Sequence, residues 1–375
     1  MQKPFLYGQA VSGQNFTDRK SETARLVANF THGINTILIS PRRLGKTSLV
    51  KKAITCIDSK DHIPVFLDIY DCRDEFDLYE RLSTSILKAT SPSTDSLMRN
   101  ITEFIGRVAP KISVSPDGGM SDYSFSLGLA PKDYSPEEIL DLPEKIARKR
   151  HKHLIICIDE FQQIGEFPDS SGVQKRMRGI WQHQENVTYC FFGSKKHMME
   201  KIFSDRSMPF FQFGEMIHLG KIDTAEWVEY ISRQFSEGGK EISADLAARL
   251  CESVDNYSSY VQQLSWNLFV LTEKAATEED LRQAVLDTLA QNSSLFTEQI
   301  RGLSTYQMNF LKAVAGGLHN GFTTGKVLST YRLGTKSNIK VLIDSLREKE
   351  LIEVTDGGVY LSDPVFQKWL LALSY

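Results

Sequence analysis

Nine consecutive residues, Ser40-Pro41-Arg42-Arg43-Leu44-Gly45-Lys46-Thr47-Ser48, carry the most specific chemical pattern in the chain. An apolar run precedes them, and the helix-like Leu49-Val50-Lys51-Lys52 follows. A phosphate chain needs backbone N–H groups converging at a helix N-terminus, a cation beside its outer phosphates and a hydroxyl for a divalent metal. Gly45, Lys46 and Thr47 offer these in order, so the whole segment is a candidate phosphate loop. Ser40 stands where the GxxxxGK[ST] pattern has its first glycine, which leaves the match incomplete.

A second constellation is Leu154-Ile155-Ile156-Cys157-Ile158-Asp159-Glu160. An aspartate at the carboxyl end of a buried strand can hold a Mg²⁺ hydration shell, and a neighbouring glutamate can orient an attacking water. Asp159 is thus the candidate metal group alongside Thr47, and Glu160 the candidate catalytic carboxylate. Asp68, after Val65-Phe66-Leu67, competes for the metal role or serves a turn; it has no adjacent carboxylate. A third candidate is Ser194, just past the apolar run ending at Phe192-Gly193. If that strand lies beside the central one, Ser194 is placed to sense a γ-phosphate; otherwise it is a turn or cap serine. The segment after Asp159 is Glu160-Phe161-Gln162 rather than the Asp-x-x-Gly of GTPases, and no Asn-Lys-x-Asp guanine reader is used. ATP with Mg²⁺ is the expected ligand.

These residues need a scaffold. Thr36 to Ile39, Pro64 to Tyr70, Leu154 to Ile158, Val187 to Phe192 and Met216 to Leu219 are short apolar segments rich in β-branched and aromatic residues, separated by helical patterns. Such alternation predicts a parallel sheet covered on both faces, spanning residues 1–220. Within it, alternation on either side of Pro116-Asp117-Gly118-Gly119 predicts an inserted β-hairpin over about 111–129. Ser135-Pro136-Glu137-Glu138 has the capping-box pattern of a helix start. Residues 221–298 become helical, with caps at Asp223 and Ser243 and a third helix from Thr277. Residues 299–375 change again: helix-like Tyr306 to Val314, Thr324 to Tyr331 and Ser337 to Lys349, then a strand pair, Leu351 to Val354 and Val359 to Leu361, around an Asp-Gly-Gly turn. Three helices closed by a hairpin form a winged helix-turn-helix pattern.

Bulk properties bound the rest. With 375 residues, 41% hydrophobic and 24% charged, the chain can build two or three ordinary globular cores. A formal charge of −3 excludes a global basic field for nucleic acid. Any such surface is local: residues 301–375 hold nine Lys/Arg against six Asp/Glu, with Lys336, Asn338 and Lys340 opening the last helix of the three. The apolar runs are too short to span a bilayer, the start lacks a signal-peptide pattern, and five widely spaced cysteines include no CxxC pair. A cytoplasmic protein with reduced thiols is expected.

Phe16-Thr17-Asp18-Arg19-Lys20-Ser21-Glu22, the phosphate-loop segment, Ile158-Asp159-Glu160-Phe161-Gln162, Gly193-Ser194 and a closing stretch through Leu361-Ser362-Asp363-Pro364 and Trp369-Leu370 together resemble the archaeal-type ATPase family of the AAA+/STAND group. The resemblance spans almost the whole chain. It implies an α/β P-loop NTPase with sheet order 5-1-4-3-2, an ATP site at the sheet's carboxyl edge, a helical lid and a C-terminal winged helix. Members often carry an arginine finger where Phe213 follows Pro209-Phe210-Phe211-Gln212 here; Arg206 is the nearby substitute. Asn256 through Gln263 lacks a lid arginine or lysine. Both departures suit slow hydrolysis with nucleotide acting as a switch. The expected activity is Mg-dependent ATP hydrolysis coupled to the winged helix; the alternative is a nucleotide-dependent regulatory or DNA-binding protein with little turnover. Expected partners are ATP, DNA or protein at the winged helix, and further copies of the chain, with no membrane.

Overall fold

A computed structural model describes residues 4–11, 13–104, 111–114, 123–126 and 135–373. The chain divides into two units, Arg19–Gly220 and Met1–Asp18 with Lys221–Tyr375.

The first unit alternates helix and strand in the order α1 (Lys20–Thr31), β1 (Thr36–Ile39), α2 (Lys46–Thr55), β2 (His62–Asp68), α3 (Glu75–Ala89), α4 (Thr94–Phe104), β3 (Lys111–Val114), β4 (Tyr123–Ser126), α5 (Pro136–Arg150), β5 (His153–Asp159), a 3₁₀ turn (Phe161–Glu166), α6 (Ser170–Trp181), β6 (Val187–Gly193), α7 (Lys196–Ser204) and β7 (Glu215–His218). Five strands form one parallel sheet in the order β2-β5-β6-β1-β7. Counted along the chain and read from β7, that is 5-1-4-3-2, as the resemblance implies. β1 and β6 are buried along their whole length, which is why their sequences read as unbroken apolar runs. Helices cover both faces; Leu78, Leu82 and Ile86 of α3 and Ile139, Leu142 and Ile146 of α5 enter one core with Ile156, Ile158 and Phe191 of the sheet. Caps fix the helix starts: Asp74 accepts from the N–H groups of Phe76 and Asp77, and Ser135 and Glu138 form the expected capping box.

The strand bounds shift by a few residues from the sequence reading. β2 starts at His62 and stops at Asp68, whose carboxylate accepts from Tyr70 N at 2.9 Å and turns the chain. β3 and β4 pair antiparallel, from Lys111 opposite Ser126 to Val114 opposite Tyr123. The Asp-Gly-Gly turn expected between them lies outside the described residues.

The second unit comprises α8 (Thr224–Glu237), α9 (Ala244–Ser253), α10 (Ser258–Leu271), α11 (Glu278–Ile300), α12 (Thr305–Ala315), α13 (Gly325–Tyr331), α14 (Lys336–Glu348), the hairpin β8 (Ile352–Thr355) and β9 (Gly358–Leu361), and α15 (Pro364–Ala372). Phe5, 2% exposed, seats the N-terminal segment among Tyr230, Phe235 and Phe269. The winged-helix core joins Phe310 stacked on Phe322 to Leu333, Ile339, Leu346, Phe366 and Leu370. Phe296 of α11 packs on Phe366 and Trp369, so that long helix contributes to the same core.

Candidate functional site

β1 ends at Ile39 and α2 begins at Lys46, so residues 40–45 form the connecting loop at the carboxyl edge of the sheet. Arg43 and Gly45 take left-handed backbone, φ 71° and 91°. Gly45 carries the more extreme value at the N-cap of α2, a conformation that glycine alone adopts without strain. The turn leads into the first turn of α2, which sets the positive end of the helix dipole at the loop. Lys46 is only 7% exposed, and its Nζ donates to the carbonyls of Ser40 at 3.2 Å and Pro41 at 3.4 Å. Its charge therefore lies across the loop, within reach of a phosphate held there.

Two other strand ends meet this loop. β5 delivers Asp159, whose Oδ2 accepts from the Thr47 hydroxyl at 2.8 Å and whose Oδ1 accepts from Glu160 N at 2.9 Å. Burial pushes the Asp159 carboxyl up to about 6, the negative charges of Glu160 and Asp68 add to the rise, and the bonds from Thr47 and Glu160 N oppose it. β6 lies between β5 and β1, as the sensing position requires, and brings Ser194 to the same edge. Ser194 Oγ donates to Glu160 Oε2 at 3.0 Å. Asp68 stands opposite Asp159 in register, but its side chain serves the turn at Tyr70 and Arg81 donates to its carbonyl.

Gln162 is a site residue that its type and position alone do not reveal. Its Nε2 donates to the same Glu160 Oε2 that Ser194 holds, and its side chain is buried, 2% exposed. It closely approaches Gly193, where an added Cβ would fall 1.8 Å from Gln162 Oε1. Glu160, at φ 53°, turns the chain from β5 into the 3₁₀ turn that carries Gln162. No strand or helix period marks a residue on so short a turn; only its place two after the acidic pair hints at it.

Of the cations, Arg178 lies 4.3 Å over the Phe213 ring, and Phe213 is itself packed on Phe191 and Phe210. Phe213 thus works as core where the resemblance places an arginine, and Arg206 is exposed. In the second unit Gln262 and Gln263 turn inward, Gln263 donating to Gln291 Oε1 at 2.9 Å. Among the described residues no set of three His, Cys, Asp or Glu side chains could hold a metal. The Thr47 hydroxyl and Asp159 carboxylate are a hard oxygen pair of the sort Mg²⁺ takes when phosphates and water supply its remaining ligands. The donor set fits.

Solved structures share the fold. A Walker-type ATPase of Pyrococcus abyssi superposes with a TM-score of 0.71 at 17% identity, covering 99% of this chain and 100% of that one. The two chains share one fold. The ORC2 protein of Aeropyrum pernix in its ADPNP–ADP complexes gives 0.56 at 14% identity, covering 95% and 94%. The same protein in its ADP form gives 0.52 at 12%, covering 96% and 97%. Residues 294–372 match the family model described as "Probable winged helix domain". No curated protein matches the sequence. No helix among the described residues is long and apolar enough to cross a membrane.

Proposed function

We propose that the protein binds Mg·ATP at the carboxyl edge of its sheet and hydrolyses it slowly, using the nucleotide state to govern a winged-helix effector. The observation that carries this reading is the meeting of three strand ends: loop residues 40–48 after β1, Asp159 and Glu160 after β5, and Ser194 after β6, tied by the 2.8 Å Thr47–Asp159 and 3.0 Å Ser194–Glu160 bonds. Ser40 through Ser48 wrap the phosphates, with Lys46 as the point charge. Thr47 and Asp159 hold Mg²⁺, which would neutralise charge on the phosphate oxygens when bound. Glu160, kept in place by Ser194 and Gln162, orients the attacking water and takes up its proton, while Ser194 senses the γ-phosphate. Residues 221–298 serve as the lid and 299–375 as the effector. The lack of an arginine or lysine from Asn256 to Gln263, and of an arginine in place of Phe213, supports slow turnover. Steady-state phosphate release tests the assignment: Glu160→Gln keeps ATP bound and slows release by ~10²-fold or more, the scale of a positioned general base. Wild-type turnover in Glu160→Gln would remove Glu160 from the role.

A second reading, a nucleotide-dependent DNA-binding protein with little turnover, is favoured by one segment. Residues 299–343 contain no Asp or Glu, while Arg301, Lys312, Lys326, Arg332, Lys336 and Lys340 are all exposed. A local acid-free stretch leading into α14 suits phosphate contacts despite the chain's net charge of −3.

A further inference from the structure

The segment Phe16 to Glu22 takes no part in the site described above, yet it places one buried charge beside the phosphate loop. Arg19 is 4% exposed at the N-cap of α1. It and Asp18 both adopt left-handed backbone, φ 63° and 53°, a costly conformation for two successive residues with side chains. Such strain persists where surrounding contacts hold it. The guanidinium makes three: Nη1 donates to Glu22 Oε1 at 2.9 Å, and Nη2 donates to Gly220 O at 2.7 Å and to Leu44 O at 3.4 Å. Glu22 is steadied in turn by the Ser21 hydroxyl at 2.8 Å. Leu219 N donates to Ile39 O at 2.9 Å, so the Gly220 anchor is itself fixed to the end of β1.

The Leu44 carbonyl belongs to the peptide unit whose other pole is the Gly45 N–H. A trans peptide is planar, with its C=O and N–H pointing in opposite directions. A donor that holds the carbonyl on one side therefore aims the amide to the other. Gly45, at φ 91°, begins the turn into α2 directly after that peptide. We propose that Arg19 is a positioning residue that orients the Leu44–Gly45 peptide so that the Gly45 amide faces the bound phosphates. It does so by referencing the loop to the sheet edge through Gly220. The planar fork suits the task because its donors keep a fixed angle to one another, whereas a lysine has a single rotating head that cannot span the same three acceptors. The inference rests on the nucleotide reading above.

The test uses the full chain labelled with [¹⁵N]glycine and titrated with Mg·ADP. In the wild type the Gly45 amide resonance moves downfield as ADP binds. In Arg19→Gln the nucleotide-free Gly45 resonance is displaced, its movement with ADP shrinks, and the Kd for ADP rises about tenfold, the size expected for loss of one charge-assisted bond. Arg19→Lys falls between the two. Glu22→Gln, which frees the fork but keeps it, raises the Kd by a smaller factor and serves if Arg19→Gln does not fold. Wild-type Kd and wild-type Gly45 shifts in the folded variant, with only the melting temperature lowered, would make Arg19 a structural staple and overturn the proposal. Absence of ADP binding by the wild type would instead remove the nucleotide reading, and this one with it.

Discussion

Gly193→Ala separates the positioning of Glu160 from the binding of nucleotide. A methyl group on Gly193 would stand 1.8 Å from Gln162 Oε1, 3.0 Å from its Cδ and 3.1 Å from Met199 Sδ. Gly193 closes β6 in extended backbone that alanine adopts readily, so the clash falls on Gln162 rather than on the main chain. Gln162 is 2% exposed and has no solvent to swing into. Its amide must leave Glu160, which takes away one of the two side-chain donors to Oε2. A hydrogen bond to a charged group contributes about 1.5–3 kcal/mol. If Glu160 depends on it fully in the transition state, turnover falls by roughly 10- to 100-fold. Overpacking lowers stability by a further ~1–3 kcal/mol. ATP affinity holds, because Lys46 is seated on the Ser40 and Pro41 carbonyls and Thr47 on Asp159. Single-turnover hydrolysis beside titration with a fluorescent nucleotide reads both quantities, with Gln162→Leu as companion. Wild-type turnover in Gly193→Ala, or weakened affinity with turnover intact, would refute the reasoning.

Asp159 yields a pH prediction. Its folded-state value of about 6 against an ordinary 3.8 means the folded protein holds that proton more tightly than the unfolded chain, so stability declines as pH rises from about 4 to about 6 and stays lower above. Asp159→Asn removes this penalty: denaturant unfolding in EDTA gains on the order of 2–3 kcal/mol at pH 7.5 and nothing at pH 4, whereas equal gains at both would refute it. At the winged helix, Lys336→Ala with Lys340→Ala lowers the slope of log affinity for DNA against log salt by about one unit for each lysine that neutralises a phosphate, read by fluorescence anisotropy. ATP binding stays intact in that variant, and an undetectable DNA affinity of the wild type at low salt would leave the domain to protein contacts.

What can be read from the sequence follows how local the cause is. Thr36 to Ile39 and Val187 to Phe192 are legible because strands buried on both faces must be apolar throughout. The order of the sheet comes from resemblance alone, since pairing across α-helical crossovers leaves no mark on any one strand. α10 is hidden for a physical reason: it is buried nearly all round, with Tyr260, Val261, Gln262, Gln263 and Leu264 inward in succession, so it has no amphipathic period to detect. α4 is likewise absent from the sequence reading. The phosphate-loop motif names its residues one by one, and the structure gathers Thr47, Asp159, Glu160 and Ser194 at one edge. Arg19, Gln162 and Gly193 stand in the segments that carry the resemblance, but their contacts are illegible: Gln162 meets Gly193 by a close approach between two elements about thirty residues apart, and two of the acceptors of Arg19 are backbone carbonyls, which every residue has.

The central claim is that residues 40–48 hold the phosphates of ATP through Lys46. Isothermal titration of Mg·ATP into the wild type and into Lys46→Ala tests it most directly. One nucleotide bound per chain by the wild type and none by the variant is the predicted result, since the β- and γ-phosphates lose the loop's lysine in a pocket otherwise built from backbone dipoles. Equal affinity in the two proteins, or no binding by the wild type, would contradict it.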